Sequence, residues 1–156
     1  MKNTLITFII SIFFANSSFS QINTEYQLKE AGKTVVNWLN NLNTTNYPLC
    51  YEEMSFQFKN NTDSVEIVSL FLLEIESFGE FLGRKEISRK FASNPIEFDE
   101  RLSNYPDGYY AVFVFKSNYE NWKFSEDSGI ETLILHQDYK SRWRILDWIT
   151  EFESEE

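Results

Sequence analysis

The sequence predicts an α+β domain in which N-terminal helices pack on a curved four-stranded antiparallel sheet, giving a cone-like shape. Three observations lead there. Apolar residues recur at steps of three and four from Leu28 to Leu82, the period changes towards two beyond Gly83, and short turn signals separate the later apolar segments. Short connections imply antiparallel pairing, and helices followed by strands imply a sheet covered by helices on one side.

Thr24, with Gln27 three residues on, matches a capping box, so the first helix is expected to begin there. Leu28, Ala31, Val35, Trp38 or Leu39, and Leu42 form its apolar stripe, and the Asn40 to Asn46 segment ends it. Asn46 and Pro48 mark a second start, with Tyr47, Tyr51, Met54 and Phe58 on one face until Asn60 and Asn61 break the pattern. Asp63 or Ser64 caps a third helix carrying Val68, Phe71, Leu72, Ile75, Phe78 and Leu82, with Gly79 or Gly83 as its stop. Strands are expected at about Arg84 to Ser93, Tyr109 to Ser117, Ile130 to Asp138 and Trp143 to Phe152. Asn94-Pro95, Pro106-Asp107-Gly108 and Tyr139 to Arg142 supply the turns between them.

Residues 1–20 have the layout of a secretory signal peptide: Lys2 near the start, an apolar run from Leu5 to Ala15, then small residues. Ser18 and Ser20 place a cut before Gln21, with Ala15 and Ser17 as an earlier alternative. The run is shorter than the roughly 20 residues that cross a bilayer, so no stable membrane span is expected after cleavage. The expected product is an exported protein, periplasmic or secreted. It comprises residues 21–156 as a single α+β domain with a short acidic tail from about residue 153. Cys50 is the only cysteine, so no internal disulfide forms and the fold rests on its core. Its plain reading is a small buried apolar residue, with a reactive thiol as the alternative.

The chain holds 14 Lys and Arg against 24 Asp and Glu, a formal charge of −10, which removes nucleic acid as a partner. One His and one Cys exclude zinc sites rich in those ligands, and no loop has the alternating Asp/Asn spacing of a calcium site. No metal and no cofactor is expected, and neither a G-x-S-x-G nor a phosphate-cradling glycine loop occurs.

The strings Gly79-Glu-Phe-Leu-Gly-Arg84, Pro106-Asp-Gly-Tyr109, Glu131-Thr132 and Trp143-Arg144-Ile145, with the early Trp38-Leu39 pair, resemble in order and spacing a bacterial family called domain of unknown function 4019. The resemblance covers about residues 27 to 152. It implies membership of the nuclear-transport-factor-two-like, or cystatin-like, superfamily, whose helices lie against a curved sheet to form an open cone. It brings no established catalytic residues. This chain departs from the family pattern at Leu146-Asp147-Trp148, where the family typically continues Ala-Gly-Tyr.

Two groups of residues carry candidate chemistry. An even loop around Lys140-Ser141 pairs residues whose numbers sum to 281, so His136 faces Ile145 and Asp147 lies diagonally on the same face. A His136–Asp147 dyad suits general acid/base chemistry, while a structural hydrogen bond or solvated pair is the plain reading. Asp147 is also readable as a pocket carboxylate or as a sheet-edge charge. Tyr119, Trp122 and Phe124, with Trp148, are candidates for a ligand- or partner-gripping lip, against the plain reading of rings tucked into the core.

The sheet pattern is apolar on both faces: Val112 and Val114 oppose Ala111, Phe113 and Phe115, and Ile145 and Ile149 oppose Leu146, Trp148 and Phe152. Helices cover one face, so a homodimer built sheet to sheet is expected to cover the other. The first functional reading is an exported noncatalytic binding or assembly module whose partner is a small molecule or protein. The alternative is a small-molecule enzyme of the isomerase or dehydratase kind using His136 and Asp147.

Overall fold

The computed structural model describes residues 23–61, 63–98, 103, 105–121 and 129–151. The expected signal peptide, Trp122, Phe124, Phe152 and the acidic tail from about residue 153 lie outside the described residues. The helices are α1 (Thr24–Asn43), α2 (Tyr47–Glu53), α3 (Phe56–Asn61) and α4 (Ser64–Phe78). The strands are β1 (Phe81–Ala92), β2 (Tyr110–Tyr119), β3 (Gly129–Gln137) and β4 (Trp143–Glu151). They pair antiparallel in the order β1-β2-β3-β4, as the α+β reading expects.

Strand ends differ from the sequence expectation by up to three residues, and three differences among the helices each have a local reason. Asn23, not Thr24, caps α1: its side-chain oxygen accepts the N–H of Tyr26 at 2.9 Å, and Thr24 becomes the first helical residue. The expected second helix is two. At Met54 and Ser55 the chain turns extended and adds to the free edge of β4, where Ser55 N–H donates to the Ile145 carbonyl at 2.6 Å. The Ser55 hydroxyl then accepts the N–H of Phe58 at 3.1 Å and restarts the chain as α3. The third helix stops at Phe78 because Gly79 adopts φ 75° and ψ −157°, a conformation essentially restricted to glycine. Leu82 therefore falls on β1, exposed, and that strand begins at Phe81 rather than Arg84.

The core lies between the helices and one sheet face. Ala31, Val35, Trp38, Leu39 and Leu42 of α1 and Phe71 of α4 pack on Ala111, Phe113, Leu133, Leu135, Trp143 and Ile145. Full burial of each large apolar side chain contributes roughly 1.5–3 kcal/mol. Cys50 is buried there, and burial pushes its thiol up to about 12, which makes it an unreactive packing residue at neutral pH. Trp38 Nε1 donates to the Cys50 carbonyl at 3.1 Å and ties α1 to α2. None of the described helices is long and apolar enough to cross a membrane.

The opposite sheet face carries a second apolar cluster of Tyr110, Ile134 and Leu146. The chain supplies part of its cover: Phe98 and Tyr105, from the connection between β1 and β2, pack on it. Val112, Val114, Ile130 and Ile149 on the same face are half-buried.

Candidate functional site

On the helix side the strands bring a carboxylate into the core. Glu131 of β3 lies opposite Phe115 and Thr150, on the same face as Leu133 and Leu135, and it is fully buried. Four side chains satisfy it. Arg84 Nε and the Ser117 hydroxyl donate to one carboxylate oxygen; the Tyr119 hydroxyl and Trp148 Nε1 donate to the other, each at 3.2 Å. Arg84 also donates to Ser117 Oγ at 3.1 Å and, through Nη2, to Tyr119 Oη at 2.9 Å. Burial and the neighbouring carboxylate push the Tyr119 phenol well above its usual range.

Rings seal this cluster. Trp148 meets Trp38 at 5.6 Å, Phe71 at 5.9 Å and Phe78 at 6.4 Å, while Tyr119 sits 5.2 Å from Phe78. Tyr119 and Trp148 are thus core residues in the described structure, because β2 runs past Ser117 and turns Tyr119 inward.

The β3–β4 hairpin sets a different geometry from the expected one. Its loop has five residues, Asp138 to Arg142, so Gln137 pairs with Trp143 and His136 pairs with Arg144 rather than Ile145. Asp138 holds the loop: Oδ1 accepts the N–H groups of Lys140 at 2.8 Å and Arg142 at 2.9 Å, and Oδ2 accepts Arg142 Nε at 3.0 Å. Burial opposes the Asp138 charge, but these hydrogen bonds outweigh it and hold the carboxyl below its usual range. A register shift between Ile134 and Leu135 then pairs Ile134 with Asp147, leaving Leu146 as the extra residue.

His136 therefore lies on the face away from the core helices, while Ile145 lies on the helix side. The imidazole stacks on Tyr110 with centroids 4.7 Å apart and planes 30° apart. Gly108 makes room for it, since a Cβ there would sit 3.0 Å from Nε2. Burial lowers the His136 pKa against the pull of Asp138, which keeps the ring neutral at pH 7. Asp147 receives the Trp148 N–H at 2.9 Å. The Asp138 carboxylate acts on His136, and Asp147 pairs with Ile134 on the same outer face.

His136 lines a cavity of about 650 Å³ between α3 and the hairpin, together with Met54, Phe56, Lys59, Asp138, Tyr139, Arg142 and Arg144 among others. Asp147 is not among its lining residues. Arg144 bonds Glu53 at 2.9 Å and lies 3.7 Å from Asp138. Lys59 donates to the Glu52 carbonyl at 2.8 Å and sits 5.1 Å from the Tyr51 ring centre. Burial, then Arg144, lowers the Lys59 pKa. Among the described residues no group of three or more His, Cys, Asp or Glu side chains is placed to hold a metal ion.

A four-stranded meander with helices on one face, closed by a buried Arg–Glu pair, defines an α+β module whose features cluster in the strings Gly79–Arg84, Glu131-Thr132 and Trp143–Ile145. The chain matches the family described as Protein of unknown function (DUF4019) over residues 34–148 and belongs to it. No curated protein and no solved structure matches the chain.

The buried pair predicts a double-mutant result. Replacing Glu131 by Ala leaves the Arg84 guanidinium buried without its counter-charge, and urea unfolding should show a loss of about 3–5 kcal/mol. The double variant Arg84→Met, Glu131→Leu should lose less than either single variant; equal or greater loss would refute a pair that matters chiefly by mutual neutralisation.

His136 predicts the direction of pH dependence. Its folded pKa is depressed, so below about 6.5 the unfolded chain binds the proton first. The stability contributed by the neutral ring is present above that pH and lost as pH falls towards the folded pKa. The urea midpoint of the wild type should therefore drop between pH 7 and pH 5 more than that of His136→Phe. Identical pH profiles would contradict the burial argument.

Proposed function

We propose that the protein is an exported, noncatalytic binding module, periplasmic or secreted, rather than an isomerase- or dehydratase-like enzyme. The observation that carries this reading is the state of the helix-side cup. An enzyme built on such a cone needs an acid–base pair facing a cavity there. Here that space holds a carboxylate saturated by four donors and closed over by Trp148, Trp38 and Phe71. His136 belongs to the other face, and Asp147 does not line the cavity that His136 enters. We also place the fold with the nuclear-transport-factor-two-like superfamily, on the support of the meander order and the one-sided helical cover.

Self-association through the sheet enters this proposal only through the half-buried rim of Val112, Val114 and Ile149, because Phe98 and Tyr105 occupy the neighbouring cluster. Light scattering at micromolar concentration reads it: a dimeric mass that falls to monomer in Val112→Glu is the expected result, and a monomeric wild type removes the dimer from the proposal.

The noncatalytic reading is tested by incubating the purified protein with a metabolite extract and following both bound and free pools by mass spectrometry. Metabolites should be retained unchanged. A compound that disappears with time, with an isomer or a product lighter by one water appearing only when His136 is intact, would establish the enzyme instead.

A further inference from the structure

We propose that the cavity between α3 and the β3–β4 hairpin binds a small amphipathic carboxylate, its anionic head between Lys59 and Arg144 and its apolar body against Met54, Phe56 and Tyr139. This deepens the binding-module reading by naming the ligand class. A volume of about 650 Å³ is within the range of small-molecule sites, and its wall comes from the end of α2, Met54, α3, the hairpin loop and one residue each of β3 and β4, with the Met54–Ser55 step tying α3 to β4.

The apolar half of the argument is exposure without a packing reason. Phe56 is 72% exposed and Tyr139 is 89% exposed, yet both line the same cavity. Met54 forms its buried floor. The Tyr139 ring carries the Lys140 ammonium 5.4 Å from its centre, and both rings lose water-exposed surface when an apolar body enters the concavity.

The polar half is an excess of cations: Lys59, Arg142 and Arg144 line the cavity against the carboxylates of Glu52 and Asp138. Lys59 has no carboxylate within ion-pair distance among the described residues; its ammonium is held by a carbonyl and a ring face. Arg144 acts on it as a like charge, and both line the same concavity. Facing cations are unfavourable in a partly desolvated site, and an anion between them converts that repulsion into two attractions. Arg144 keeps Glu53 as an ion-pair partner at 2.9 Å, and the Glu52 and Glu53 carboxylates also act on Lys59, more weakly than burial and Arg144. The neutral His136 ring adds a group able to donate or accept beside the head. A dianionic phosphate would meet the nearby Asp138 carboxylate as a like charge, so a monoanion is the better fit.

Octanoate and octan-1-ol, titrated separately into the purified protein at pH 7 and followed by calorimetry and amide NMR shifts, test this. Octanoate should bind with a Kd below about 1 mM and octanol at least about tenfold more weakly, a difference of roughly 1.4 kcal/mol. Lys59→Gln should weaken octanoate about tenfold and leave octanol unchanged; Phe56→Ala should weaken both. An unaltered thermal midpoint for Phe56→Ala, whose ring is exposed, keeps that arm interpretable if Lys59→Gln is unstable. Equal affinities for acid and alcohol, no octanoate binding at about 10 mM, or shifts confined to residues elsewhere would overturn the proposal. Such failure leaves the noncatalytic reading standing, whereas chemical conversion of a metabolite refutes that reading without touching octanoate binding.

Discussion

A carboxylate with no exposure to water sets terms that the rest of the sheet must meet. The bare desolvation of Glu131 costs several kcal/mol even after relaxation, so it is tolerated only where a counter-charge and further donors converge. Those groups come from β1 through Arg84, β2 through Ser117 and Tyr119, and β4 through Trp148. A one-residue slip of any of these strands would turn its donor to the other face. The cluster therefore pins the relative register of all four strands at one end of the sheet, and Trp148 carries the constraint on to Trp38 of α1 and Phe71 of α4. We read its purpose as specificity of register more than gain in stability.

At the other end of the sheet the controlling residue is Asp138. Its carboxylate organises an odd loop, and that oddness decides which β4 residue His136 pairs with. Past the hairpin end, the extra residue at Leu146 restores the pairing that Glu131 and Trp148 need. The bulge thus reconciles two incompatible demands: a loop shaped by Asp138 at one end, and a buried donor set at the other. It also leaves Leu146 on the outer cluster and Ile145 in the core, adjacent residues both buried on opposite faces.

The fold was legible because hydrophobic period and turn chemistry are local. The change from steps of three and four to steps of two placed the helix-to-sheet transition beyond Gly83, a few residues late, with Gly79 as one of the two stops named, and Asn94, Pro95 and Gly108 marked real turns. The site was less legible because it depends on parity, and parity turns on hydrogen bonds to one aspartate side chain. Reading Tyr139 to Arg142 as an even loop put His136 opposite Ile145; one more residue in the loop puts it opposite Arg144, and only the extra residue at Leu146 returns Asp147 to the His136 face. The break at Met54–Ser55 escaped for a similar reason, since it answers the unpaired edge of β4, far away in sequence. Glu131 and Arg84 were both inside the strings that carried the family resemblance. A signal for their meeting was present: Ser117, Tyr119 and Glu131 continue the inward-facing alternations of Ala111, Phe113 and Phe115, and of Leu133 and Leu135, so polar groups had to share one buried patch.

These two ends of the sheet also bear on where the proposed binding module would meet its ligand. Glu131, Arg84 and the Trp148 ring fill one end of the helix-side face, where the donor set leaves no free acid–base pair. Met54 and Ser55, by adding to β4, hold α3 beside the hairpin. In a chain with a formal charge of −10, long-range electrostatics disfavour anions, and any anion site must depend on short-range cations shielded from that field. Lys59 and Arg144, both half-buried, come nearest to that condition in one cavity, with Asp138 bound up by the loop it organises and Glu53 held against Arg144, while Glu52 remains a lining carboxylate. The buried cluster and the cavity are consequently linked through β4: the strand that supplies Trp148 to the carboxylate also supplies Arg144 to the site.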